Sequence, residues 1–212
     1  MAREGAPEGL WLRAERQTGG RGRQGRDWHS PPGNLHASTL VRLGPGDPPA
    51  ATLALVAAVA LQEVISAYAP VHQVLIKWPN DLLVEGEKLS GILLERAGDA
   101  VVIGIGVNLA SHPEALDRPV TSLARLVGTA PQPATSLEVL ADSFARWLMR
   151  WRGEGLTPVR AKWLTVAHPI GTALATSAGE GLFEGLDETG ALRLRRADGT
   201  LHVIHAGDVF LI

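Results

Sequence analysis

Between Val74 and Asn108 the chain offers four short apolar runs, at residues 74–78, 82–84, 88–95 and 100–107, joined only by turn-forming segments: Pro79-Asn80, Glu85-Gly86-Glu87 and Ala97-Gly98-Asp99. Connections this tight leave no room for the crossover that a parallel pair needs. The pattern therefore predicts an antiparallel meander. Two flanking runs, 10–15 and 35–43, add probable strands, the second with Thr39 and Val41 favouring extension.

Helices must cover such a sheet. Residues 49–68 are apolar nearly all round, and Asp47 followed by Pro48 and Pro49 reads as a capped helix start, so a core helix is expected there, stopping ahead of Pro70. The longest apolar stretch, 53–65, is interrupted by Gln62 and Glu63 and is too short to span a bilayer. Thr135 and Glu138 suggest a capping box for a helix running to Trp151, with Trp147, Leu148 and Trp151 as core positions, and another helix is expected over 157–166. Beyond His168-Pro169 the texture changes. Five short runs, at 170–176, 181–186, 191–196, 201–205 and 209–212, suggest a small barrel. The expected fold class is α+β, with a mixed or antiparallel sheet and packed helices over residues 1–167 and a small β-barrel over 168–212. The 212 residues, 45% of them hydrophobic, suffice for both.

The run from Gly19 to Trp28, GGRGRQGRDW, holds four glycines and three arginines. It reads as a loop whose bare backbone approaches a ligand and whose guanidinium forks suit phosphate and carboxylate oxygens. An exposed linker or an Arg/Gly nucleic-acid patch is the plainer alternative. Net charge of −2, from 20 basic and 22 acidic residues, argues against a general polyanion binder. The chain has no cysteine, which excludes disulfides and thiolate catalysis and fits a reducing cytoplasm. Its N-terminus shows no secretory signal, and no membrane or DNA partner is expected. The seven histidines show no metal-ligand spacing, so no metal site is expected.

Three further motifs follow the Gly/Arg run in order: Lys77-Trp78-Pro79-Asn80-Asp81, then KLSGILLE from Lys88 to Glu95, then Gly104-Ile105-Gly106-Val107-Asn108. Together the four resemble those of the biotin protein ligases, over nearly the whole chain from Leu10 to Ile212. The resemblance implies a class II synthetase-like ligase domain with an SH3-like C-terminal barrel. It implies a two-step reaction: biotin attacks the α-phosphate of ATP, with Mg²⁺, to give biotinyl-5′-AMP, and a lysine of a biotin carboxyl carrier protein domain then takes the biotin. It implies a monomer or weak homodimer.

Two anions meet in the first step, so fixed positive charge is required where charge develops. Lys77 and Arg23 are the expected catalytic cations. By alternation along its strand Lys77 points away from Ile76 and Trp78; an edge lysine that keeps the sheet soluble is the alternative. The resemblance puts Gln17, Gly20, Arg21, Gly22, Arg23, Lys77 and Gly91 against biotin, and Arg23, Arg26, Trp28, Asn80 and Asn108 against the nucleotide. Each has a plainer reading: Gln17 as a surface residue, Trp28 as a loop anchor, Asn80 and Asp81 as a turn. The Gly/Arg loop is expected to be mobile when empty and to close on ligand. The family also carries a Ser-Thr-Asn motif upstream of this loop. The 18 residues before Gly19 spell none, which leaves open a longer N-terminus, a compensating group or an impaired site. They leave no room for a helix-turn-helix. Other readings stay open: a lipoate or other acyl-acid ligase, a non-catalytic biotin or nucleotide binder, and an RNA-binding module. The last is disfavoured by the charge balance.

Overall fold

The computed structural model describes residues 5–114, 116 and 118–212. Six strands form one antiparallel sheet: β1 (Trp11–Ala14), β2 (Leu35–Arg42), β3 (Val74–Lys77), β4 (Asp81–Val84), β5 (Glu87–Ala97) and β6 (Ala100–Val107). Their order is β1-β2-β6-β5-β4-β3, so the expected meander from β3 to β6 forms, and β6 then pairs with β2. All its ladders are antiparallel; parallel pairing is confined to isolated bridges such as Lys88 with Val120.

Side-chain alternation gives this sheet two unlike faces. Val41, Ile92, Ile103 and Ile105 point to one face and are buried there with the helices α1 (Leu53–Tyr68) and α3 (Pro133–Glu154). The other face carries Ser38, Gly91, Gly104 and Gly106, and it lines the cleft described below. Helix α1 is the central core element; Val56 through Ala60 are all fully buried. Short α2 (Leu123–Val127) and α4 (Thr157–Thr165) complete the helical layer.

The helix starts differ from expectation. A tight turn over Ala50–Thr52 precedes α1, and Asp47 does not cap it. The Asp47 carboxylate accepts from the Gly44 N–H at 2.9 Å and pairs with Arg152 at 3.4 Å, closing the preceding turn instead. Helix α3 begins at Pro133, two residues before Thr135, because proline already holds the helical φ and needs no amide partner. Ser122 caps the unexpected α2, accepting from the Arg125 N–H.

The second sheet comprises β7 (Ala173–Thr176), β8 (Gly179–Leu186), β9 (Leu192–Arg195), β10 (Leu201–Ile204) and β11 (Val209–Leu211), in the order β10-β9-β8-β7-β11. It is antiparallel, with β10 and β11 as its outer strands. Its buried residues, among them Phe183, Leu186 and Leu194, belong to the same apolar cluster as α1 and α4. The Trp78 indole, just after β3, donates to the Gly190 carbonyl at 3.2 Å, and Arg160 of α4 donates twice to that of Leu186, so hydrogen bonds also tie the second sheet to the first and to the helical layer.

Candidate functional site

The cleft begins as a floor without side chains. Gly91 on β5 pairs with Gly106 on β6, and Gly104 pairs with Leu93 beside them. The Trp28 indole lies directly on this floor. A Cβ on Gly106 would sit 2.4–2.6 Å from three atoms of that ring, and one on Gly91 would sit 3.2 Å from it. Only glycine admits the ring at Gly106. The Trp28 Nε1–H is buried and has no partner among the described residues. A buried donor left unpaired costs roughly 1–3 kcal/mol, so the site has a donor waiting for an acceptor.

The Gly/Arg run forms a hairpin over this floor. Trp28 N–H donates to the Gly20 carbonyl at 3.0 Å and Gly22 N–H to that of Arg26 at 2.7 Å. The tip turns through Gln24 and Gly25, whose φ values are +57° and +72°. Gly20 is required by packing: a Cβ there would lie 2.5 Å from the Trp28 carbonyl oxygen and 2.8 Å from both Gln17 Oε1 and Ser30 Oγ. Ser30 Oγ–H donates to Gln17 Oε1 at 2.7 Å, fixing the carboxamide at the base of the hairpin.

The hairpin divides the cleft. A first cavity of about 380 Å³ lies on the glycine floor, with Arg21, Gly22, Arg23 and Arg26 above and Ser38 and Leu93 to the side. A second, of about 730 Å³, lies beyond Trp28 and is bounded by Pro31, Pro32, Asn108 and Pro113. Both volumes suit small molecules. Gln17, Trp28, Lys88 and Arg118 line both. The two cavities therefore share one aromatic wall, two cations and the carboxylate of Asp27.

Lys88 is the better placed of those cations, and sequence reasoning had not singled it out. Its Nζ lies 2.5 Å from Asp81 Oδ1, 5.8 Å from the Trp28 ring centre and 3.3 Å from the Cβ position of Gly91. Burial lowers its pKa from the ordinary 10.5, against the upward pull of the Asp81 carboxylate. Strict alternation from Gly91 would have turned Lys88 to the helical face. The ladder skips Leu89, since Leu82 pairs with Ser90 and Leu83 with Lys88. Leu89 and Ser90 are both fully buried, so the bulge returns Lys88 to the glycine face. Arg118 sits within electrostatic reach of Lys88 and Lys77, and no carboxylate pairs with it among the described residues. A lone cation beside two others is a place for an anion.

The other expected residues fall as follows. Lys77 does point away from the buried Ile76 and Trp78. It borders neither shared cavity, however. It lines a third, of about 370 Å³, with Asp208 and Phe210, its Nζ 5.5 Å from the Phe210 ring centre; Arg23, Arg26, Asn80 and Lys88 connect that cavity to the first. Burial lowers the Lys77 pKa as well, against Asp81. Asn80 donates to the Ile92 carbonyl at 2.6 Å and accepts from Arg23 at 3.3 Å, so it is both a turn residue and a support for the hairpin. Asn108 is buried and donates to the Thr121 carbonyl at 3.0 Å, shaping the wall of the second cavity. Gln17 and Trp28 border both cavities, Arg21, Gly22, Arg23, Arg26 and Gly91 the first alone, and Gly20 the second alone. Among the described residues no group of three or more His, Asp or Glu side chains is placed to hold a metal ion. The Asp81 carboxylate in the cleft is engaged by Lys88.

A cleft of two joined compartments, with Lys88 and Arg118 at the junction, suits two small molecules with anionic ends. The comparisons with known proteins give the same class. Residues 4–108 match the Biotin/lipoate A/B protein ligase family and residues 175–212 the Biotin protein ligase C terminal domain. The chain is 41% identical to a biotin--[acetyl-CoA-carboxylase] ligase of Paracoccus denitrificans over 94% of this chain and 89% of that protein. It is 35% identical to the bifunctional ligase/repressor BirA of Bacillus spizizenii, over its whole length and 69% of that protein. The biotin protein ligase of Aquifex aeolicus, solved in complex with biotin and ATP, superposes with a TM-score of 0.87 at 26% identity, over 98% of this chain and 90% of that one. The chain belongs to the biotin protein ligase family.

Proposed function

We propose that the protein activates biotin with ATP to biotinyl-5′-AMP and transfers the biotin to a lysine of a biotin carboxyl carrier protein domain. One observation carries the assignment of roles: the glycine-floored cavity and the cavity behind Trp28 meet at Lys88 and Arg118. Biotin fits the first, its ring system over Gly104 beside the Trp28 indole and its carboxylate toward Lys88. The nucleotide fits the second, its base against Trp28 and the neighbouring prolines. The carboxylate and the α-phosphate then face each other at the shared cations.

Chemistry follows from that placement. Attack by the carboxylate forms a C–O–P anhydride and expels pyrophosphate, so charge builds on the phosphoryl oxygens and the leaving group. Lys88 and Arg118 stabilise the first, and the hairpin arginines with Lys77 the second. No protein cage for Mg²⁺ exists among the described residues, so the ion arrives with the triphosphate. The hairpin shields the anhydride from water until the carrier lysine attacks its acyl carbon and releases AMP. In this reading residues 1–167 form the catalytic domain and 168–212 an accessory domain. The enzyme is cytoplasmic, acts as a monomer or weak homodimer, and has no DNA partner.

The test is pyrophosphate release with biotin, ATP and Mg²⁺, followed by mass-spectrometric detection of a biotinyl group on an apo carrier domain. Release dependent on lipoate but not biotin, or tight biotin binding without release, would replace this reading.

A further inference from the structure

The Asp27 carboxylate is an acceptor without a donor. Among the carboxylates of the first cavity, Asp81 is held by Lys88, and Asp208 pairs with Arg26 and lies 3.5 Å from Arg23. Glu95 borders the first cavity alone. Asp27 borders both cavities, and among the described residues it is the one carboxylate on the second. Arg21 stands opposite it in the hairpin. Yet among the described residues neither Arg21 nor any other cation pairs with the Asp27 carboxylate, and no donor reaches it.

An unpaired carboxylate in a cleft for phosphates repels them, so its place there calls for a ligand group that donates to it. Position says which group. Asp27 directly precedes Trp28, against which the base lies, and it shares both cavities with Lys88 and Arg118, where the α-phosphate lies. Between base and α-phosphate a nucleotide carries its ribose, the uncharged part of the molecule, with two adjacent hydroxyls. The two oxygens of one carboxylate can accept from both, and acidic residues take a ribose hydroxyl in this way in dinucleotide sites. We propose that the Asp27 carboxylate accepts hydrogen bonds from the ribose 2′- and 3′-hydroxyls and so selects ribonucleotides over deoxyribonucleotides. The same charge works against anions that bring no hydroxyl to it. The inference rests on the ligase reading above.

The experiment measures kcat/KM for biotin-dependent pyrophosphate release with ATP, 2′-deoxyATP and 3′-deoxyATP, in wild type, Asp27→Ala and Asp27→Asn as full chains. In wild type each analogue should fall about tenfold or more below ATP, the effect of losing one hydrogen bond to a charged group. In Asp27→Ala the acceptor is gone, so the gap between ATP and either analogue should close to within about twofold. Asp27→Asn, which keeps a neutral acceptor, should narrow the gap without closing it. A wild type that uses all three nucleotides equally would overturn the proposal. So would a gap that survives in Asp27→Ala, since a substitution that only loosened the hairpin would penalise the three nucleotides alike. A wild-type chain that releases no pyrophosphate would sink the ligase reading instead. Calorimetric titration of wild type and Asp27→Ala with the same three nucleotides would then decide the role of Asp27 by the same gaps.

Discussion

Lys88 and Asp81 meet at 2.5 Å across neighbouring strands, on the floor where the two cavities join. Their side chains are only 12% and 15% exposed, so each neutralises a charge that would otherwise be stranded in a largely dry site. The pair presents an ammonium whose position is fixed before any ligand arrives, which is the condition for strong electrostatic catalysis.

Replacing that ammonium should therefore do more harm than replacing the other strand-borne lysine. Lys88→Ala should lower biotin-dependent pyrophosphate release by about 10²- to 10³-fold, the range for removing one preorganised electrostatic group. Lys77→Ala, acting from the adjoining cavity, should cost about tenfold or less. Because Lys88→Ala strands Asp81, the double variant Lys88→Ala/Asp81→Asn serves as control: its thermal stability should recover while its activity does not. A larger defect in Lys77→Ala would return the central role to that residue.

The strands were legible in the sequence because alternation and turn chemistry act locally; the eleven among the described residues fall where short apolar runs lie between Gly, Pro, Asn and Asp. The Gly/Arg hairpin was legible because few uses exist for that composition. Lys88 was not, because the bulge at Leu89 inverts the face to which it points. Asp208 was not, because its partners lie 182 residues and more away. The cap assignments at Asp47 and Thr135 failed where a tertiary ion pair and a proline outweighed local preference.

The lowered pKa of Lys88 sets a pH dependence. Its charged form is the useful one and is lost as pH rises through the folded-state pKa, which burial holds below 10.5. In a plot of kcat/KM against pH, which reports the free enzyme, the alkaline limb should fall below that of an ordinary lysine. Lys88→Arg keeps a charge that does not titrate there, so it should move the limb upward whatever its effect on the maximum rate. A limb unmoved in Lys88→Arg would mean another group controls it.

Gly106 and Gly104 separate two effects of adding one methyl. At Gly106 the new Cβ collides with the Trp28 ring, whereas at Gly104 its nearest neighbours are at 3.7–4.0 Å, ordinary contact. Trp28 sits on a hairpin and can lift away. Gly106→Ala should thus spare the fold but weaken nucleotide binding about tenfold or more by calorimetry, the loss of an aromatic seat. Gly104→Ala should leave nucleotide affinity nearly intact. Equal effects of the two on nucleotide binding would show that the seat of Trp28 does not matter.

The core makes a prediction without reference to chemistry. Fully buried Trp151 donates its indole N–H to Thr52 Oγ1 at 2.8 Å, tying α3 to the start of α1. Thr52→Val keeps the shape and removes the acceptor, stranding the donor at a cost of about 1–3 kcal/mol. Urea denaturation should report that loss with an unchanged m-value, and KM for biotin and ATP should stay at the wild-type values.

The two sheets should not melt separately. Leu174, Phe183, Leu186 and Val209 share an apolar cluster with α1 and α4. Gly190 is seated so closely that a Cβ there would lie 2.8 Å from Leu55 Cδ1. Severed from those partners, residues 168–212 would expose the inner face of their sheet, and domains near this size bury too little surface to be stable without help. Calorimetry of the full chain should show one transition, with equal calorimetric and van't Hoff enthalpies. A peptide of residues 168–212 should give the circular dichroism of a disordered chain. Two resolved transitions, or a folded peptide, would mean that the second sheet is stable by itself and that its contacts with α1 and α4 only dock it.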